Sequence, residues 1–363
     1  MTRFVAAITI LLLCSVHLAA QKYSNEFLSI GLGARALGMG GACASGVNDA
    51  TAGYWNPAAL PGLTATDRLL AGAMHAEWFA GIGKYDYLGA AGRIDDAGRS
   101  LGISLIRFGI DNIPNTLSLY EEDGTVNYDN IVEFSAADYA LLLSYGQPLA
   151  VQKGELTIGG NVKIIHRSIG SFAQSWGFGL DAAARYETGN WRFALVGRDL
   201  TTTFNAWTFG LTESEARTLE LTNNELPINS VEITRPTLII GAGWKREWEN
   251  TNSLEVEGNV FVTTDGPRNT LISGDPLSKS PAVGLEYGFR KKVYVRAGAG
   301  NFQEEVDFDR TQLSFRPSMG VGLQIRSVRV DYAFTDIGRV REERYSHVVS
   351  LHADLSIKPR KQD

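Results

Sequence analysis

From residue 67 onward the sequence is dominated by long stretches in which apolar and polar residues strictly alternate. A period of two fixes an extended backbone with two unlike faces. In 155–167, Leu156, Ile158, Gly160, Val162 and Ile164 share one face, and Thr157, Gly159, Asn161 and Lys163 share the other. In 313–326, Leu313, Phe315, Met319, Val321, Leu323 and Ile325 oppose Ser314, Arg316, Ser318, Gln324 and Arg326. The pattern repeats in 175–186, 254–263 and 345–357. These stretches run ten to fourteen residues, whereas a soluble strand has about five or six. A strand that long, apolar on one face, suits a tilted crossing of a bilayer with lipid outside and a polar lumen inside.

Fourteen segments read this way: 67–79, 84–94, 100–110, 138–147, 155–168, 174–187, 190–201, 235–248, 253–263, 281–289, 292–301, 312–326, 328–335 and 344–357. Links after even-numbered segments are short, among them DDAGR, PLAVQKG and TGN. The long links, about 111–137, 202–234, 264–280, 302–311 and 336–343, all follow odd-numbered segments. An even-stranded barrel with short turns at one end and loops at the other has this parity. The expected fold is therefore all-β: a 14-stranded antiparallel transmembrane outer-membrane β-barrel, with both barrel termini periplasmic.

Composition excludes the main alternatives. Aromatic residues make up 10% of the chain, too many for a disordered one. Past the leader, no run of 18 apolar residues offers a membrane helix. A formal net charge of −6 argues against nucleic acid as a partner. Residues 1–20, with Arg3, an apolar stretch from Phe4 to Leu13 and Ala19-Ala20 at the end, read as a secretory signal. Leu13 stands where a lipoprotein would carry a small residue before Cys14. With Cys14 removed, Cys43 is the only cysteine and is expected as a buried thiol.

The chain holds 39 glycines in 363 residues, against a usual share of about 7%. Many, such as Gly159, Gly177, Gly284, Gly298 and Gly320, fall within the strands, where they permit curvature and close backbone approach. Trp78, Trp176, Trp191, Trp248 and Tyr345 lie near strand ends and are expected in interfacial belts. Residues 27–63 break the alternation. Gly31 to Ala36 formally match a dinucleotide fingerprint, but no βαβ unit surrounds them. Asn56-Pro57 reads as a cap with proline at the first helical position, one turn running to Leu60 before Pro61-Gly62 ends it. Asn48-Asp49 suits an Asx turn. The segment 21–66 is expected to pack as a glycine-rich plug within a barrel of 67–357, followed by a basic tail, 358–363.

The run Gly33-Ala34-Arg35-Ala36-Leu37-Gly38-Met39-Gly40-Gly41-Ala42, then Asp49-Ala50 and Trp55-Asn56-Pro57-Ala58 with Leu60, resembles the N-terminus of the FadL-related outer-membrane barrels. It is most similar to the PorV branch (PorV/PorQ) of the type IX secretion system. Val330 to Gly338, VDYAFTDIG, resembles that family's penultimate strand and turn. The resemblance implies a Bacteroidetes-type Gram-negative outer membrane, a fourteen-stranded barrel, and a lumen plugged by the N-terminal segment. It further implies a role in protein export, with a translocon barrel and the C-terminal signal domains of secreted clients as partners. The long loops would be the binding elements, through Tyr120, Glu121, Glu122, Asp123, Tyr128 and Phe134, and through Glu213, Glu215 and Leu226. One departure is the C-terminus: Ile357 is the last strand residue, where many bacterial barrels end in an aromatic.

No constellation supports catalysis, and no cofactor or metal ligand set is expected. His347 and His352 fall on opposite faces of one strand, and His75 with Glu77 reads as a structural pair facing the lumen. Asp181, Glu255, Glu257, Asp331 and Asp354 are expected to pair with Lys163, Arg185, Arg316, Arg326 and Arg329 across the strands. The alternative function is a FadL-like outer-membrane transporter of small hydrophobic molecules, which would require an apolar pocket in the lumen.

Overall fold

The computed structural model describes residues 24–78, 81–121, 123–307, 310–335 and 346–356. The signal segment, Glu122, Tyr345, Ile357 and the tail lie outside the described residues. Among the described residues there are sixteen strand segments: β1 (Arg68–Trp78), β2 (Gly83–Arg93), β3 (Ser100–Asn115), β4 (Val132–Leu149), β5 (Glu155–Ile169), β6 (Ala173–Thr188), β7 (Trp191–Arg198), β8 (Thr203–Phe209), β9 (Ser230–Thr234), β10 (Thr237–Glu247), β11 (Ser253–Thr263), β12 (Ser278–Phe289), β13 (Val293–Asp307), β14 (Arg310–Ile325), β15 (Val328–Thr335) and β16 (Ser346–Ser356). All pairings are antiparallel, and β1 pairs with both β2 and β16, which closes the sheet.

The sixteen segments form fourteen wall positions. β7 and β8 both pair with β6, β7 along 182–188 and β8 along 173–178. They are one wall strand, broken by Asp199–Thr202, where Asp199 and Thr202 hold φ of 55° and 59°. β9 and β10 likewise form one wall strand, paired with β8 and β7 and broken at Arg235-Pro236.

The strands outrun the alternation that marks them. The expected loop 302–311 is largely strand, with Asp307 paired to Arg310. The expected loop 111–137 shrinks to 116–131, and β8, β9 and a helix, Glu213–Leu221, take up much of 202–234. Hairpins standing clear of the membrane meet water on both faces, so the two-residue signal fades while the backbone pairing continues.

Inside the barrel lie residues 24–67. They form a 3-10 turn (Glu26–Leu28), helices Ala34–Gly38, Ala52–Trp55 and Leu60–Leu63, and a 3-10 turn at Pro57–Ala59. Asn56 caps this last turn, its side chain accepting from the Ala58 N–H at 3.0 Å. Pro61 and Gly62 do not end the helix as expected. Pro61 sits in the first turn, where no backbone donor is needed.

The two halves of the wall meet this segment differently. β1 to β5 contribute an apolar inward cluster in which Met74, Trp78, Tyr85, Ile106, Leu142 and Ile165 pack with Phe27, Leu37, Trp55 and Leu60, with Ser104, Ser144, Asn161 and Lys163 buried beside it. The inner faces of β11 to β16 are charged, with Glu255, Glu257, Glu286, Arg296, Asp331 and Arg329 all buried. Trp176, Trp191 and Trp248 face outward, but Trp78 points into the lumen. His75 and Glu77 correct the sequence reading in the opposite sense. They lie on the outward face, because Met74, Ala76 and Trp78 take the inward positions of β1.

Candidate functional site

The glycine-rich signature is an anchor. Arg35 is wholly buried. Its guanidinium donates to Glu286 at 2.9 Å, to Glu255 at 3.1 Å and to the Gly46 carbonyl at 3.1 Å. Arg296 continues the chain of charges, from Glu286 at 2.5 Å to Asp331 at 2.7 Å. Arg329 then bridges Asp331 at 2.8 Å and Asp49 at 2.9 Å. A closed circuit of ion pairs thus leaves the inserted segment at Arg35 and returns to it at Asp49. Burial works against the Arg35 cation, but Glu286 and Glu255 raise its pKa well above the ordinary value. Burial likewise opposes the Asp49 carboxylate, yet His352, Arg329 and the Thr51 hydroxyl hold it below the usual range. Burial pushes the Cys43 thiol up, with Arg35 acting in the opposite sense.

The remaining signature residues make the approach possible. Gly40 has φ +70°, and a Cβ there would lie 2.6 Å from the Ala299 nitrogen. Across from it, a Cβ on Gly298 would lie 2.1 Å from the Met39 carbonyl carbon. Gly38 packs on Gly320 of β14, and the Gly33 N–H points to the Met74 sulfur at 3.0 Å. Gly41 also has positive φ, and its carbonyl accepts from Asn259. Trp55 donates its indole N–H to the Leu32 carbonyl at 2.8 Å, and Asn56 donates to the Ala44 carbonyl at 2.8 Å. The Pro57 carbonyl abuts Gly146 and Gly159.

Of the ion pairs expected from sequence, Lys163–Asp181 at 2.9 Å and Arg329–Asp331 are present. Glu255 pairs instead with Arg35 and Arg192, and Asp354 with Arg68. Arg185 turns to the Ser45 carbonyl and Glu187. Glu286 and Arg296 were missed. Both stand at inward positions of alternating strands, which the sequence shows, but which partner each meets depends on where the inserted segment lies.

Between this segment and the long-loop end is a vestibule of about 1360 Å³. Its floor includes Phe27, Leu37, Trp55, Trp78, Phe108 and Phe261. Trp78, Tyr85 and Phe108 meet edge to face, with centroids 6.0 to 6.2 Å apart. Arg198 lies over the Tyr54 ring at 4.3 Å. Higher up, Arg167 pairs with Asp138 at 2.8 Å and Glu232 at 3.2 Å. Lys163 pairs with Asp181 and Asp199 beside the break between β7 and β8. Lys163 and Arg167 are each neutralised by two carboxylates, and beneath them the floor presents aromatic rings to a solute.

The expected loop residues divide. Tyr120 and Tyr128 are 67% and 74% exposed, and Leu226 is partly so. Glu121 is committed to its own loop, accepting from Asn127 and Asn130. Asp123 accepts from the Thr125 N–H, and Glu215 closes a capping box with Thr212. Glu213 lies in the first turn of that helix, where its charge suits the helix dipole. Phe134 is a β4 residue packed edge to face on Phe172.

No protein-family model matches the sequence, and no curated protein matches it. Solved structures do resemble the fold. The CymD monoaromatic hydrocarbon channel aligns with TM-score 0.52 at 14% identity, covering 90% of this chain and 98% of that one. The Ralstonia pickettii toluene transporter TbuX gives 0.51 at 13% identity, covering 89% and 98%. The Pseudomonas putida toluene transporter TodX gives 0.50 at 13% identity, covering 92% and 98%. The chain shares the barrel fold of these solved channels and transporters. At such identities the likeness concerns architecture alone: an antiparallel sheet of fourteen wall positions closed on itself. These three neighbours are named as channels or transporters, none as an enzyme.

Proposed function

We propose that this FadL-like barrel passes a small hydrophobic molecule from the long-loop end into the vestibule. The observation that carries the reading is the aromatic floor of Phe27, Trp55, Trp78 and Phe108 beneath a cavity of about 1360 Å³. Concave, mostly apolar cavities with a few placed polar groups are the usual form of small-molecule sites. The structural neighbours named for hydrocarbons support the same reading. Trp55 and Trp78 provide the assay. Titrating toluene or a medium-chain fatty acid into the barrel in nanodiscs should change tryptophan emission saturably. Trp78→Ala should weaken the response. The reading fails if no apolar solute saturates the signal and vesicles containing the barrel take up none.

The export role implied by the signature is the second reading. It is supported by apolar residues exposed on the loops, with Tyr128 at 74% and Ile228 at 80%. In this reading the loops receive a client protein beside a translocon barrel. Deleting the gene separates the two: secreted clients would be retained in the second case and reach the surface normally in the first.

A further inference from the structure

The outward face of the barrel is uneven. On β14 its apolar run extends from Leu313 to Ile325, and on β6 from Trp176 to Tyr186. On β1 the run is Leu69 to Ala73, on β3 Leu101 to Leu105, and on β2 Leu88 to Ile94, just past the strand end. At 3.3 Å per residue, the runs on β1 and β3 cover about 13 Å along the strand, the one on β2 about 20 Å and the one on β14 about 40 Å. Strand tilt shortens all of them. A typical barrel presents an apolar band roughly 25 Å tall, so β1 and β3 fall well short of it.

The apolar run on these strands is cut off by charge. His75, Asp86, Arg107, Tyr139 and His166 are directly opposed neighbours across β1 to β5. The next row toward the short-turn end, Ala73, Leu88, Leu105, Leu141 and Ile164, is wholly apolar. His75 meets Asp86 at 2.7 Å, Arg107 meets Asp86 at 3.4 Å, and Lys84 meets Asp111 at 3.0 Å. These side chains remain 30% to 53% exposed, and Glu77 beside them 61%. Charge on a lipid-facing position is tolerated near the interface and costly at depth. The outward faces of β1 and β3 therefore have to meet something hydrated much closer to the short-turn end than those of β6 and β14 do.

We propose that this face contacts the polar headgroups of the membrane lipids, and that the bilayer is locally thinned against β1 to β3. Two features select headgroups over a protein partner. The charges are already paired with one another, which suits a hydrated setting and leaves little for a partner's charges to complete. The outward residues of β1 to β3 include no Phe, Tyr or Trp, the anchors that protein interfaces favour, and the large apolar residues Leu88, Leu101, Ile103 and Leu105 all lie on the short-turn side of the charged row, where acyl chains would meet them.

The test is spin-label depth in liposomes of defined acyl-chain length, using a Cys43→Ala background. Leu88→Cys on β2 and Val321→Cys on β14 lie at similar distances from the short-turn ends of their strands and leave the charged row intact. The label at 88 should be reached by a water-soluble nickel chelate in preference to oxygen, and the label at 321 by oxygen in preference to nickel. The proposal is overturned if both labels report the same hydrocarbon depth. It is equally overturned if neither quencher reaches 88, since a second copy of the chain or another protein would then cover the face. A variant with His75, Lys84, Asp86 and Arg107 all replaced by leucine gives an independent readout. It should insert best into longer-chain lipid than the parent does; an unchanged preference counts against thinning.

Discussion

Replacing Arg35 with methionine tests whether the ion-pair circuit holds the inserted segment in the lumen. The side chain is fully buried and donates to Glu286, Glu255 and Gly46. Breaking a buried ion pair costs about 3–5 kcal/mol. Here Glu286 keeps Arg296 at 2.5 Å and Glu255 keeps Arg192 at 3.1 Å, so neither carboxylate is stranded. The cost should fall at the low end, about 3 kcal/mol. At 1.4 kcal/mol per decade, that is roughly a hundredfold rise in the population with the segment displaced. Cys43 reports it, being buried and 3.4 Å from the Arg35 guanidinium. Its labelling by a maleimide at neutral pH should accelerate about as much as the displaced population grows. The sign is informative, because Arg35 favours the thiolate in the closed state. Losing that charge alone would slow labelling, so faster labelling must come from opening. Arg35→Lys keeps the charge but loses the fork, and should fall between the two. A labelling rate that does not rise in Arg35→Met refutes the anchoring role.

Three further outcomes follow from the same geometry. Gly298→Val places atoms where the Met39 backbone lies, and overpacking of about 1–3 kcal/mol should also speed Cys43 labelling. Asp49 has its folded-state pKa depressed, so its stabilisation is present above about pH 4 and is lost as the pH falls through the acid range. Pepsin should therefore cut the inserted segment more readily as the pH is lowered toward 2, and Asp49→Asn should flatten that dependence. Thr212→Ala removes the cap of Glu213–Leu221 at a cost of about 0.5–2 kcal/mol. It should expose that helix to protease while leaving the heat-modifiable migration of the barrel unchanged.

The alternation at Leu156 to Ile164 and Leu313 to Ile325 determined the fold by itself, because a period of two and a length near twelve residues admit few architectures. It also placed Glu255, Glu257 and Asp331 on the inward face correctly. Arg35 and Asp49 stood out as signature residues without any indication of what they touch. Their partners lie more than 200 residues away, on β11, β12 and β15, and pattern carries no information about such pairings. The same limit explains His75 and Glu77. Sequence put both on one face and assumed that polar means lumen, but Met74, Trp78 and Tyr85 are needed inside to pack on Phe27 and Trp55. Which face of β1 turns inward was decided by what fills the barrel, because the burial of the inserted segment is a property of the assembled wall and of no single strand.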